Sequence, residues 1–157
     1  MDFKEKDNYN VYDLVEVIRK LRSPGGCPWD IEQTHHSIRQ NLIEETYEVI
    51  EAIDKEDTEL LKEELGDVLL QVVFHSIIEE EQGSFNIDDV ADGVCKKMII
   101  RHPHVFADVK ADTTEQVLKN WDAIKMKTKS QNTQSEVLDG ISRSLPALMR
   151  SQKIQQK

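Results

Sequence analysis

The sequence predicts an all-α fold, and three observations carry that expectation. Apolar residues recur at three- and four-residue intervals along most of the chain, no segment sustains the period-two alternation of a half-buried strand, and no Asn-Gly or Asp-Gly hairpin signal lies between β-branched runs. At 157 residues, 38% hydrophobic and 32% charged, the composition is that of a soluble, helix-rich globular protein long enough to bury a sizeable core.

The elements follow in order. Val11, Leu14, Val15, Ile18 and Leu21 share one helical face, and Ser23-Pro24-Gly25-Gly26 stops that helix. The loop Cys27-Pro28-Trp29-Asp30 presents an aromatic, with Asp30 placed to cap a short turn toward Gln33 and Thr34. A second helix is expected from about Ser37 to Ile53, with Ile38, Leu42, Val49, Ala52 and Ile53 on one arc; Glu45 falls inside that arc and Glu48 at its edge. A third starts at the capping pair Asp57-Thr58 and runs to about Glu80. Between Leu65 and Ile78 its apolar residues surround the helix, the pattern of a central helix buried on more than one side. Glu64, Asp67 and Gln71 form one polar strip along it, with His75 beside. After Gly83-Ser84-Phe85-Asn86 the periodicity resumes from Ile87 to Ile100, and Pro103 ends it. Another helix starts at Thr113-Thr114 and carries Val117, Leu118, Trp121 and Ile124. The polar, aperiodic stretch Lys127 to Glu136 reads as a linker, and Leu145-Pro146-Ala147-Leu148-Met149 opens a last helix close to a cut-looking end. Residues 1–129 are thus expected to form the domain, and 130–157 a polar linker with the start of a truncated C-terminal helix.

A formal net charge of −10 argues against a nucleic-acid scaffold held by phosphate contacts and against a basic membrane-surface module. Any phosphate ligand then needs a metal ion or a local basic patch. Cys27 and Cys95 lack metal-ligand spacing, so neither a disulfide framework nor a zinc knuckle is supported, and a reducing compartment fits. The N-terminal Met1 to Asp7 has no apolar leader core and no run approaches about 20 apolar residues. A cytoplasmic protein, neither exported nor membrane-spanning, is expected.

The informative anomaly is acidic. Eleven of the 24 residues from Glu44 to Asp67 are Asp or Glu, and most of these, including Glu51, Asp54, Glu56, Asp57, Glu59 and Glu63, read as a solvated face. Glu45 and Glu48, like Glu64 and Asp67, are spaced i, i+3, which stacks each pair on one helical face, and the fifteen-residue spacer allows an antiparallel hairpin that brings the pairs together. Carboxylates on core-facing stripes are costly unless paired or coordinated. Four of them converging, without Cys or paired His, select a hard divalent cation, Mg²⁺ with Mn²⁺ as substitute, over zinc. A di-iron bundle would want Glu-x-x-His pairs, which neither acidic pair supplies. Glu44, at i, i+4 from Glu48, is open to two roles: a further ligand, or the base that takes a proton from an attacking water. Gly66 in a helix interior is explained equally by close helix approach at the site or by plain packing.

Basic and aromatic candidates lie later. Lys97 and Arg101 are i, i+4 neighbours at a helix end, where the helix dipole also favours them, and they supply what a triphosphate needs. Trp121 and Lys125 repeat that spacing as a stacking surface beside a phosphate contact, against core packing for the indole; Trp29 offers a second such surface.

Four ordered blocks, Gly26-Cys27-Pro28-Trp29-Asp30 with Gln33-Thr34-His35, Glu44-Glu45-x-x-Glu48, Glu64-Leu65-Gly66-Asp67-Val68-Leu69-Leu70-Gln71-Val72-Val73-Phe74-His75, and Arg101-His102-Pro103-His104-Val105-Phe106, give the chain its family likeness. From about Leu14 to Lys129 it resembles the MazG family of nucleoside triphosphate pyrophosphohydrolases. The resemblance implies an all-α fold whose four-helix bundle is completed by a second subunit, hence a homodimer or higher homo-oligomer. It also implies Mg²⁺-dependent hydrolysis of nucleoside triphosphates to monophosphate and pyrophosphate, with broad or housecleaning specificity. By motif position it makes Glu45, Glu48, Glu64 and Asp67 metal ligands and Lys97, Arg101, Trp121 and Lys125 nucleotide contacts; Glu44 and Glu45 stand as the candidate catalytic residues. Some larger members carry two such modules or a fused tetrapyrrole-methylase-like domain, whereas this chain holds one module. The competing readings are a catalytically weak nucleotide-binding module for dimerisation or regulation, and a purely structural acidic bundle.

Overall fold

The computed structural model describes residues 5–128 and 133–156, and the chain divides into two compact units, Met1–Asp92 and Gly93–Lys157. The described residues form α1 (Val11–Arg22), α2 (Pro28–Glu32), α3 (Arg39–Asp54), α4 (Thr58–Glu81), α5 (Ile87–Arg101), α6 (Pro103–Phe106), α7 (Thr114–Thr128), α8 (Gln134–Asp139) and α9 (Ala147–Gln155), with no strand among them. No helix among them is long and apolar enough to cross a membrane.

Caps written in the sequence start several of the helices. Asn10 accepts hydrogen bonds from the amides of Tyr12 and Asp13 while the Asp13 carboxylate takes the Asn10 amide, a capping box that starts α1. Asn86 does the same for α5 with Asp89. Thr133 and Glu136 do so for α8, so the final residues of the expected Lys127 to Glu136 linker are helical; residues 129–132 of it lie outside the described residues. Asp30 does not cap: Pro28 at the first helical position starts α2 one turn earlier and leaves Asp30 inside it.

The core of the first unit is built where α1 crosses α4. Val15, Ile18, Ile38, Val73, Phe74, Ile77 and Ile78 are buried together, flanked by Leu14, Leu21, Leu69, Leu70 and Ile87. α4 has 24 residues and α1 only 12, so at 1.5 Å per residue α1 covers about half of α4's length. The burial expected along α4 from Leu65 onward is therefore confined to its second half. Leu65 and Val72 remain 51% and 36% exposed, and Ile53 of α3, expected on the buried arc, is 55% exposed. A Cβ at Gly66 would meet nothing within 4 Å, so neither close helix approach nor packing within the chain accounts for that glycine.

Charged pairs bind α1 to α4 at the rim. Arg19 forks onto Glu80 (3.1 and 2.9 Å) and Arg22 onto Glu81 (2.8 and 2.7 Å). Arg22 also donates to the carbonyls of Asp30 and Gln33 at 2.6 and 3.1 Å, and its guanidinium lies 5.2 Å from the Phe74 ring centroid. One buried side chain thereby joins α1, the end of α2 and α4. The chain reaches this position through a tight reversal after α1. There the Cys27 amide donates to the Leu21 carbonyl at 2.8 Å, and a Cβ on Gly26 would stand 2.2 Å from that same oxygen and 2.5 Å from the carbonyl oxygen of Lys20. Both are helix backbone and cannot step aside. Gly26→Ala is therefore expected to lower the unfolding free energy by about 2 kcal/mol or more, read from urea denaturation followed by far-UV circular dichroism.

Candidate metal centre

The acidic pairs meet because α3 and α4 are an antiparallel hairpin with a short, specified turn. α3 ends in a Schellman motif, with the Glu56 amide donating to the Ile53 carbonyl and the Asp57 amide to that of Ala52, both at 3.1 Å. Glu56 takes the left-handed conformation this requires, φ 54°. Asp57 at once caps α4 by accepting from the amides of Glu59 and Leu60 at 3.1 Å. Register follows from that turn. Glu48 and Glu64 stand eight residues either side of Glu56, and Glu45 and Asp67 stand eleven either side.

One carboxylate oxygen each from Glu45, Glu48 and Glu64 lie within 4.8 Å of one another. Oxygens sharing one hard divalent cation are separated by at most twice the metal–oxygen distance, about 4–5 Å, so this donor set fits such an ion. Asp67, partly buried, stands outside the group of three, but its charge reaches Glu45 and Glu64. Glu44 is exposed and accepts a hydrogen bond from Gln40 Nε2 at 3.0 Å.

Electrostatics agree with the geometry. Desolvation, the hydrogen bond to Glu48 and the charges of Asp67, Glu48 and Glu64 hold the Glu45 carboxyl above its ordinary range. Glu64 is raised by desolvation and by Glu48, Asp67, Glu63 and Glu51. Both shifts are upward, so the ionised cluster opposes folding above those pKa values and the penalty is relieved as pH falls through them. A divalent cation relieves the same repulsion at neutral pH.

The second unit holds the other candidates. The Arg101 guanidinium lies 5.4 Å from the Trp121 ring centroid, and the His102 ring meets the same indole edge-on at 4.8 Å. Helix α5 ends where His102 Nδ1 approaches the Met98 carbonyl oxygen at 2.6 Å. Lys97 is exposed on α5, while Trp121 and Lys125 are partly buried on α7. Trp29, in α2 of the first unit, is 60% exposed.

Residues 33–106 match the profile of the MazG nucleotide pyrophosphohydrolase domain. The chain carries a MazG domain. The matched segment contains the carboxylates, Lys97 and Arg101; Trp29, Trp121 and Lys125 lie outside it. Over 153 residues the chain is 53% identical to the uncharacterized protein YabN of Bacillus subtilis (strain 168), covering 97% of this chain and 31% of that protein. It is 48% identical over 145 residues to a nucleoside triphosphate pyrophosphohydrolase of Escherichia coli (strain K12), covering 92% of this chain and 55% of that one. The crystal structure of a MazG-related protein from Thermotoga maritima superposes with a TM-score of 0.61 at 29% identity, over 73% of this chain and 97% of the other. The chain thus spans about a third to just over half the length of these two curated relatives.

One polar cluster of the MazG domain was not assembled from the sequence. His35, His75 and Glu79 converge on α4, though His35 is forty residues from His75. The only local signal was the i, i+4 spacing of His75 and Glu79. For the acidic cluster the expectation is direct: in EDTA, Glu45→Gln melts at a higher temperature than wild type by differential scanning fluorimetry, because a like charge has gone. Mg²⁺ at a hundred times its Kd stabilises wild type by about 2.7 kcal/mol and leaves the variant nearly unmoved.

Proposed function

We propose that this MazG domain hydrolyses nucleoside triphosphates between the α- and β-phosphates, giving a nucleoside monophosphate and pyrophosphate, with Mg²⁺ as cofactor and Mn²⁺ able to replace it. The observation that carries this reading is the meeting of Glu45, Glu48 and Glu64 oxygens within 4.8 Å at a hairpin register that also aligns Asp67 with Glu45. The name of the Escherichia coli relative supports the reaction class.

Glu45, Glu48, Glu64 and Asp67 would hold the cation, whose charge neutralises phosphate oxygens that the carboxylates alone would repel. Glu44, solvent-facing on the Glu48 side of α3, accepts the proton of the water that attacks the α-phosphorus, and pyrophosphate departs with its bonding electron pair. Lys97, Arg101 and Lys125 bind phosphate oxygens. Trp121, with one face covered by Arg101, offers the opposite face to a base, and Trp29 offers a second stacking surface. The functional domain therefore extends to about residue 129, with residues 130–157 leading out of it. Specificity is broad across bases, as a housecleaning enzyme of normal and aberrant nucleotides requires.

Exposed apolar residues support a second subunit. Ile43, Tyr47 and Ile50 line one stripe of α3 at 52%, 53% and 44% exposure, and Leu65 and Val72 a stripe of α4; a partner hairpin would cover both and complete a four-helix bundle. Static light scattering at micromolar concentration is expected to give a homodimer mass or a multiple of it; a monomer mass refutes the intersubunit bundle.

Ion-exchange analysis of products from a panel of ribo- and deoxynucleoside triphosphates tests the reaction. Monophosphate plus pyrophosphate is expected with Mg²⁺ and nothing with EDTA. Glu45→Ala and Asp67→Ala should each lower turnover about 100-fold or more with unchanged far-UV circular dichroism. Diphosphate plus orthophosphate, or no product, would overturn the assignment.

A further inference from the structure

The cluster of His35, His75 and Glu79 takes no part in the chemistry above, and its geometry is specific. The two imidazoles lie nearly parallel, 9° between planes and 5.0 Å between centroids, with Nδ1 of one 2.7 Å from Nδ1 of the other. His35 Nε2 is 2.7 Å from Glu79 Oε1. Two imidazole nitrogens of one zinc ion, each about 2.0–2.1 Å from it, stand about 3.3 Å apart at a tetrahedral angle, so the observed gap fits a shared proton and not a metal. Two lone pairs would repel at this distance and two N–H groups would collide, so one Nδ1 donates and the other accepts.

Glu79 decides which. Hydrogen bonds from His35 and Ser84 hold its carboxyl below the usual range, so it stays ionised and can only accept. His35 therefore donates from Nε2. In neutral His35 the Nδ1 is then the acceptor, and His75 must donate from its own Nδ1. The proton order runs from His75 to His35 to Glu79.

The location gives this order a use. His35 lies in the irregular segment between α2 and α3, whereas His75 and Glu79 stand one turn apart on α4. The Glu56 turn closes one end of the α3–α4 hairpin; His35 and His75, 21 and 19 residues either side of that turn, close the other. The carboxylates sit between the two closures and push the helices apart. We infer that His35, His75 and Glu79 form a proton-bridged clamp that fixes the register of α3 against α4 and so positions the carboxylate centre for its cation. They are positioning residues. The inference rests on the reading of Glu45, Glu48 and Glu64 as a cation site.

Asparagine carries its amide N–H near the position of Nδ1 and glutamine near that of Nε2, so the pair His75→Asn and His75→Gln tests the proton order. Mn²⁺ affinity is measured by electron paramagnetic resonance, with melting temperatures recorded in EDTA. His75→Asn is expected within about threefold of wild type, and His75→Gln about tenfold weaker or more, at similar melting temperatures. Equal affinity in both variants, or equal loss in both, overturns the clamp. No Mn²⁺ binding by wild type overturns the cation site and the clamp with it, which distinguishes the two failures. Should a variant not fold, long-range ¹H–¹⁵N spectra of the wild-type imidazoles decide: His75 protonated on Nδ1 and His35 on Nε2 at neutral pH is expected, and His75 protonated on Nε2 alone refutes the assignment.

Discussion

The candidate metal centre depends on holding like charges together across one helical hairpin. Glu45 and Glu48 on α3 face Glu64 on α4 with Asp67 alongside; burial and the charges of Glu48, Asp67 and Glu64 raise the proton affinity of Glu45, and burial with the charges of Glu48 and Asp67 raises that of Glu64. Left to itself such a group separates. It stays together because the three-residue turn Lys55-Glu56-Asp57 allows little freedom of register, with its amides spent on carbonyls of the last turn of α3 and the Asp57 side chain spent on the first amides of α4. The turn is thus the part of the site that is rigid by covalent connection, and the carboxylates lie only two to three helical turns from it.

The remaining stability is placed away from the charges. The buried core lies where the second half of α4 meets α1 and Ile38, and the bidentate arginines Arg19 and Arg22 secure the same end. This division has a physical logic. A tightly packed apolar layer beside the carboxylates would raise their desolvation penalty, whereas within one chain the first half of α4 is left partly open. Its consequence is the set of exposed apolar residues on α3 and α4, which a single chain does not cover.

How legible this was in the sequence differed by kind of feature. Helices were readable because their signals are local: Asp57 marks the start of α4 with a side chain that satisfies orphan amides, and periodicity carries the longer elements along, whereas the caps at Asn10 and Asn86 emerge only in the structure. The carboxylates were readable in part: i, i+3 spacing and a symmetric distance from the turn bring Glu45, Glu48 and Glu64 together, while Asp67, expected among them, stands outside that group. The burial of α4 was not readable. Leu65 and Val72 look as apolar as Val73 and Ile77, and only the length of α1 decides which of them it covers. Nor was the start of α2, where Pro28 overrides the capping tendency of Asp30. The histidine clamp was hidden for a third reason: its members join an irregular segment to a helix forty residues on, a contact that no periodicity encodes. Of the four blocks that carried the family likeness, the MazG profile over residues 33–106 holds Gln33-Thr34-His35 and the three later blocks, while Gly26 to Asp30 precede it.

Under the proposed function an acidic chain must meet a polyanion, and the two units differ in the charge they would offer it. The first unit concentrates negative charge, so it can approach phosphate only through a cation, and the net charge of −10 makes that dependence stronger. The second unit places Arg101 against Trp121 and adds Lys97 and Lys125 on the neighbouring turns of α5 and α7. An arginine laid on an indole keeps its in-plane N–H groups free to fork onto phosphate while its face is already desolvated by the ring. Such a group loses less on binding than a solvated lysine does.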